Sequence, residues 1–353
     1  MTERRKIRWL IAHYPEYLFV RTAEAFGTEL EKMCPGQFEI EILNMYEYVN
    51  KYDKLHDLLT VPPIIPGLSQ GKKEMPPEIK DQYKQVATWK EGSKRWTTLF
   101  DALSEGEFEM SQTQISIIGA YLHKNFSAID LPYLFNDHDH VSRVLDGDIG
   151  DMLGNQLAEK TDIRGLAFTY SGGYRVIGSN HKITNLTELA QSKLLTHTIH
   201  STKLFEEIGA NLLHKFVAND QEIADTTSSP NTAMETTYLR FNGSHVYKTE
   251  HSMFTTSILT GNKFWASLTE DQQTAFQVAA KKTAKLEREW SIADAKKYED
   301  EAVSKGIEIV DISAEDTANL RKASSAVYDT LAERSIDPIL VQAIIDAGNN
   351  QIH

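Results

Sequence analysis

Arg175 stands just past a break, Ser171-Gly172-Gly173, that separates the apolar run Gly165–Phe168 from a second run beginning at Tyr174. The pattern reads as strand, flexible turn, strand. A guanidinium there is an ordinary surface charge, the partner of a neighbouring acid in a salt bridge, or a planar fork for a carboxylate beside a mobile joint. Three further groups could do polar chemistry. Gln112, Thr113 and Gln114 end the strand-like "EFEMSQTQ" and offer neutral donors and acceptors suited to hydroxyl or amide recognition, with plain turn chemistry as the competing reading. Thr196, His197, Thr198 and His200 include two imidazoles, which either donate to an anion or act as partly buried structural histidines. Thr226, Thr227 and Ser228 supply hydroxyls before Pro230, for a ligand or for capping.

The run "NDHDHVSRV" looks like a metal site, but consecutive residues project in different directions and rarely converge on one ion. Asn136 or Asp137 as a helix cap, with acids in the first turn, explains it more simply. No metal and no other cofactor is therefore expected. Trp96, Trp265 and Trp290 are aromatic anchors; the last two read as core or joint packing.

The elements that must position these residues alternate between strand and helix, which favours an α/β fold. Ile7–Ala12 reads as a first strand, ending at His13 and Tyr14, followed by a helix over Arg21–Lys32. "QFEIEILNM" alternates as a second strand. Residues 53–91 hold five of the ten prolines and read as an ordered surface insertion. A helix over Trp96–Ser104 leads to Gly106 and the "SQTQ" strand. From Thr269 to Lys305 there is neither Pro nor Gly. Thr269 with Gln272 forms a capping box, Gly306 is a stop, and Phe276, Ala279, Thr283, Leu286, Trp290 and Ala293 mark one buried stripe on a very long helix.

Composition bounds the partners. At 353 residues two lobes are the natural division. A net charge of −13 argues against nucleic acid and anionic membrane surfaces, and means that an anionic ligand needs a locally positive pocket. Cys34 is the only cysteine, so an internal disulfide and a thiolate cluster are both excluded. No window approaches 18 apolar residues, and the first apolar stretch is too short for a signal-peptide core; a leader is expected to be absent or removed.

The order of segments carries a resemblance. "LFDALSEGEFEMSQTQ", "AIDLPYLFNDHDHVSRVLDGDIGDML", "GGYRV", "ITNLTELAQSKL", "FEEIGA", the stretch from Glu250 through Trp290, and "KGIEIVDIS" succeed one another as in the DctP-type solute-binding proteins of TRAP transporters, which the chain resembles from about residue 6 to about residue 335. "DLPYLF" and the spacing of Trp265, Leu268, Gln272 and Ala275 are its most specific parts.

The resemblance implies two α/β lobes of periplasmic-binding-protein type, joined by crossing strands and a long C-terminal helix, with a solute in the cleft. Lobe I would comprise residues 1–172 and 255–300, and lobe II residues 173–254 and 301–353. It implies a periplasmic receptor, not an enzyme, that closes on a small organic acid and hands it to a TRAP membrane permease; the polar lining fits a hydroxylated acid. Arg175 matches a family arginine of the G-x-R segment. The usual carboxylate clamp, an arginine in a K-x-R-like segment, is replaced by Leu194 or Leu195, with Thr196–His200 in its place. By family position Gln114, and with it His13, sits where lobe I reaches the solute, and Trp96 precedes a helix that faces the cleft in relatives; His197 falls where the clamp arginine stands in the family, and Gln112, Thr113 and Thr226 are candidate contacts by residue type. Some relatives dimerise through the C-terminal helix, so a homodimer stays open. The alternatives are a signal-less intracellular sensor and a metal-dependent enzyme on the same scaffold.

Overall fold

The computed structural model describes residues 4–12, 16–60, 89–196, 198–214, 228–232 and 244–349. Most of the proline-rich insertion, together with His13, His197 and Thr226, lies outside them. The described strands are β1 Arg5–Ile11, β2 Phe38–Asn44, β3 Met110–Gln114, β4 Ile163–Ser179, β5 Lys193–Thr196, β6 Asn211–His214, β7 Ser228–Thr232, β8 His245–Lys248, β9 Met253–Gly261 and β10 Glu308–Asp311. With the intervening helices they make an α/β protein. The chain divides into two compact units, one of Met1–Phe126, Asp139–Ser171 and Thr255–Glu289, the other of Ser127–His138, Gly172–Phe254 and Trp290–His353.

In the first unit the strand order is β2-β1-β3-β9-β4. β1 pairs in parallel with β2 and β3, and β9 runs antiparallel to β3. Sheets with helices on their faces bury both sides of a strand, which is why β1 carries the continuous run Trp9-Leu10-Ile11. Phe276 is the hub of the core, with ring centroids 5.5 Å from Phe26, 5.2 Å from Phe38 and 5.6 Å from Phe264. The helix between β1 and β2 covers Glu16–Met33 and starts before the Arg21 that the apolar pattern suggests. The helix carrying Trp96 runs over Trp89–Glu105.

In the second unit the order is β10-β8-β4-β7-β5-β6. Ser228–Thr232, expected as the end of a strand entering a polar turn, is itself a strand: β7 pairs antiparallel to β4 and meets β5 at Leu194. Pro230 sits in it, tolerated in a short strand that touches β5 at one position. Ser127–His138, containing the "DLPYLF" motif, falls in this unit, whereas the sequence order assigns it to lobe I; its contacts run to residues 175 and 249–252.

The Ser171-Gly172-Gly173 break is not a turn. β4 continues through it for 17 residues. Gly172 and Gly173 take φ of 109° and 76°, a region open to glycine at no steric cost, so the backbone passes from one unit to the other without leaving the strand.

The helix Glu270–Ser304 is as long as expected. Thr269 N donates to Gln272 Oε1 at 3.0 Å and Gln272 N to Thr269 Oγ1 at 3.3 Å, which completes the capping box; Gly306, at φ 82°, ends the helix. Its buried stripe departs from the apolar reading after Thr283. Leu286 and Trp290 are half-buried and Ala293 is exposed, whereas Glu287, Arg288 and Ser291 are buried. A stripe that changes from apolar to polar residues keeps its helical period but loses the hydrophobic signal that would reveal it.

Candidate functional site

Arg175 lies on β4, two residues past the glycine pair, and is only 7% exposed. Its guanidinium hydrogen bonds to described residues all leave from Nη1: to Asp130 Oδ1 at 2.8 Å, Ser252 Oγ at 3.2 Å and Met253 O at 3.2 Å. The backbone N of Arg175 donates to Ser252 O at 2.7 Å, and the guanidinium carbon stands 5.0 Å from the Phe254 ring centroid. These contacts fix the orientation of the fork, the condition for bidentate recognition of a carboxylate. The surface-charge reading is therefore excluded, and the salt-bridge reading is met by Asp130, through Nη1 alone.

Further titratable groups surround it. Asp130 is 3% exposed, and its Oδ2 is buried without a hydrogen-bond partner among the described residues. His200, near the start of the helix Ile199–Glu207 capped by Thr198, donates from Nε2 to Ser127 O at 3.0 Å and accepts at Nδ1 from Arg334 Nη1 at 2.8 Å. That pattern requires a neutral ring. Burial pushes its pKa down to about 4, with Arg334 and Arg175 adding to the effect and Asp130 opposing it. His251 is fully buried, and its pKa is pushed down to about 3 by burial and then by Arg175. Its Nδ1 lies 2.8 Å from Thr249 Oγ1, and Nε2 has no partner among the described residues. Burial also lowers Arg334, while Asp130 raises it.

Three residues with left-handed backbone flank these groups: Tyr133 (φ 55°), Glu250 (φ 45°) and Ser335 (φ 57°). Each costs on the order of 1 kcal/mol and persists where neighbours over-determine the conformation. Tyr133 is braced that way, its N donating to His251 O at 2.8 Å and its hydroxyl to Thr249 O at 3.0 Å.

Leu194 and Leu195 are 0% and 3% exposed core residues of β5. Thr196 is buried, its hydroxyl 2.8 Å from Thr202 Oγ1. Ser228 is buried with its hydroxyl 2.7 Å from Ser192 Oγ. These two hydroxyls, read as ligand donors, are thus engaged within the protein.

In the first unit Gln112 is fully buried. Its Nε2 lies 2.9 Å from Glu287 Oε2, 2.8 Å from Thr169 Oγ1 and 3.0 Å from Thr256 Oγ1. The structure gives this amide a carboxylate of the long helix to hold. Thr113 is fully buried with no partner for Oγ1 among the described residues. Gln114 is the half-buried N-cap of the helix Ile115–Tyr121, without a side-chain capping bond. Trp96 is half-buried against Arg95, whose guanidinium carbon stands 4.9 Å from its ring; Arg95 is itself 6% exposed and donates to Ala12 O at 2.7 Å. Among the described residues no group of three His, Cys, Asp or Glu side chains is placed to hold a metal ion. His138 instead packs its ring 5.3 Å from Tyr174.

Sequence reasoning missed Asp130, His251 and Arg334. Asp130 lay inside a quoted motif, and a buried arginine demands a counter-charge, but nothing in the sequence says which carboxylate, 45 residues away, supplies it.

Residues 95–335 match the family described as bacterial extracellular solute-binding protein, family 7, or DctP, and the chain belongs to that family. A relative in Rhodobacter capsulatus, the C4-dicarboxylate-binding periplasmic protein DctP, is 24% identical over 248 residues, covering 66% of this chain and 72% of its own length. The fold is similar to that of a TRAP periplasmic solute binding protein from Ochrobactrum anthropi, with a TM-score of 0.74 at 19% identity over 98% of this chain and 95% of the other. It is similar too to the sugar acid binding protein DctPAm from Advenella mimigardefordensis in complex with galactonate, with a TM-score of 0.73 at 18% identity over 98% of both chains. Among the described residues no helix is long and apolar enough to cross a membrane.

Proposed function

We propose that this chain is a periplasmic receptor for a small organic acid, which it delivers to a TRAP-type membrane permease. The observation that carries this reading is the buried guanidinium of Arg175, whose hydrogen bonds to described residues all leave from Nη1, so that its Nε–Nη2 edge bonds to no described residue and keeps its capacity for a second carboxylate. The charge around it supports the same reading. Arg175 and Arg334 bring two positive charges, Asp130 one negative, and His200 and His251 stay neutral at pH 7. One more anion balances the set, in a chain whose net charge of −13 otherwise repels anions. The acids bound by the relatives, a C4-dicarboxylate and galactonate by name, are of this chemical class.

The test is thermal stability against a panel of small acids, sugar acids and neutral polyols, for wild type, Arg175→Lys and Arg175→Ala. A ligand that binds only the folded state at about a hundred times its Kd adds ~2.7 kcal/mol. An acid should stabilise wild type; Arg175→Lys, which keeps the charge but not the fork, should lose most of that response, and Arg175→Ala all of it. Stabilisation by neutral polyols alone, or an equal response from all three proteins, overturns the reading.

A further inference from the structure

Asp130 does more than a counter-ion needs to do. A carboxylate that only neutralises Arg175 could use both oxygens, or turn one to solvent. Here Oδ1 takes Nη1 at 2.8 Å, while Oδ2 is sealed from solvent and accepts from no described residue. A buried anionic oxygen left unsatisfied is costly, and native structures keep such atoms where a ligand, water or ion completes them. The bond through Oδ1 ties this free acceptor to the same guanidinium whose other edge bonds to no described residue. A carboxylate seated on Nε–Nη2 has one oxygen at Nη2, which shares its carbon with Nη1. A substituent on the carbon beside that carboxylate can then turn toward the Asp130 carboxylate that holds Nη1.

Resting on the acid-receptor reading above, we propose that Asp130 contacts the solute directly, its Oδ2 accepting a hydrogen bond from a hydroxyl on the carbon next to the solute's carboxylate. The ligand class is then 2-hydroxy acids, as distinct from bare carboxylic acids. Charge decides between a hydroxyl and an ammonium as the donor. A hydroxy acid brings one negative charge and balances Arg175, Arg334 and Asp130 to zero. A 2-amino acid is a zwitterion and leaves the buried set one charge positive. Of the neighbouring groups, Ser252 Oγ and Met253 O already receive Nη1 and His200 is committed at both nitrogens, which leaves His251 Nε2, besides Asp130 Oδ2, as the other polar atom open among the described residues. Tyr133 and Glu250, held in strained backbone on either side, fix the position of the two segments that carry Asp130 and Ser252.

The experiment is titration calorimetry with matched acids: malate against succinate, lactate against propanoate, and galactonate against its 2-deoxy form, with 2-methoxypropanoate and alanine as controls. Wild type should bind the hydroxy member of whichever pair it accepts at least about tenfold more tightly than the deoxy member, because the deoxy acid leaves Oδ2 unsatisfied. The methoxy acid, which has no donor, and alanine should bind no better than propanoate. Asp130→Asn keeps an acceptor for Arg175 but turns the second position into a donor, which a hydroxyl or an ether oxygen can accept; the methoxy acid should then gain at least about threefold on propanoate in the variant and not in wild type. Should that variant fail to fold, the wild-type ratios with the methoxy control still decide. Binding of hydroxy and deoxy acids within about threefold in wild type, tight binding of alanine, or a methoxy acid that gains nothing in Asp130→Asn overturns the proposal while leaving the acid receptor standing. If no acid binds at all, both readings fall.

Discussion

Each unit buries a polar network, and the two are built on different groups. In the first unit the centre is a carboxyl group, Glu287 of the long helix, received by Gln112, whose amide also reaches the mutually bonded hydroxyls of Thr169 and Thr256. In the second the centre is a cation, Arg175, with Arg334 as a second positive charge and two imidazoles that burial keeps neutral. The Glu287 carboxyl has its donor within the unit, whereas Nε and Nη2 of Arg175 bond to no described residue. Polar side chains are common to both, so what distinguishes the two networks is the bonding capacity left over once the internal bonds are made.

The widest difference should come from breaking the ion pair. Asp130→Ala leaves the Arg175 guanidinium buried and without its counter-charge, and should cost about 3–5 kcal/mol of stability in urea unfolding. The double change Arg175→Met with Asp130→Leu should cost clearly less than the two single changes together, because it removes both charges.

Acid should act next, and on the second unit. His200 titrates at about 4 and His251 at about 3 in the fold, against 6.5 for a free imidazole. As pH falls, the unfolded chain binds these protons first. The stability contributed by the neutral rings is thus complete above about pH 6.5 and is lost progressively as pH falls, towards about 4 for His200 and about 3 for His251, by about 3 and about 5 kcal/mol respectively. Unfolding of wild type and of His200→Asn at pH 7 and pH 5 checks this: the variant should show the smaller drop.

Gln112→Ala probes the first unit. It takes a donor from buried Glu287 and should cost about 1–3 kcal/mol, with the response to an acid unchanged in melting experiments. A lost acid response would instead make the first network part of the solute site. The smallest effect separates the units by their caps. Thr269→Ala and Thr198→Ala each remove an N-cap and should cost about 1 kcal/mol. Only Thr198→Ala, whose helix carries His200, should also weaken acid binding.

The sequence carried Arg175 and the long helix further than it carried their surroundings. Both are local readings: a cation beside a glycine pair, and a capping box followed by an uninterrupted helical stretch closed by Gly306. The Gly172-Gly173 pair was read as a turn because glycine permits one, yet the strand continued, since the pairing of β4 outweighs the local preference. Residue type gives Gln112 its polar capacity, but the carboxyl that its amide meets in the fold, Glu287, is 175 residues away. The C-terminal half of the buried stripe is illegible for a related reason: Glu287, Arg288 and Ser291 are buried by virtue of partners that hydrophobicity does not register. Arg288, for example, bonds Phe168 O at 2.6 Å and pairs with Asp146.

By itself the sequence determined the family, the alternation of strands and helices, and the charge of −13 that makes an anion site a matter of local arrangement. Residue type and short-range periodicity are enough for those. Only the tertiary structure decided that Arg175 is buried and oriented, that Asp130 holds it with one oxygen to spare, and that His200 and His251 are uncharged. Each of these depends on desolvation and on partners brought together from distant parts of the chain. Both set the free energy of a charge, and neither is written in local sequence.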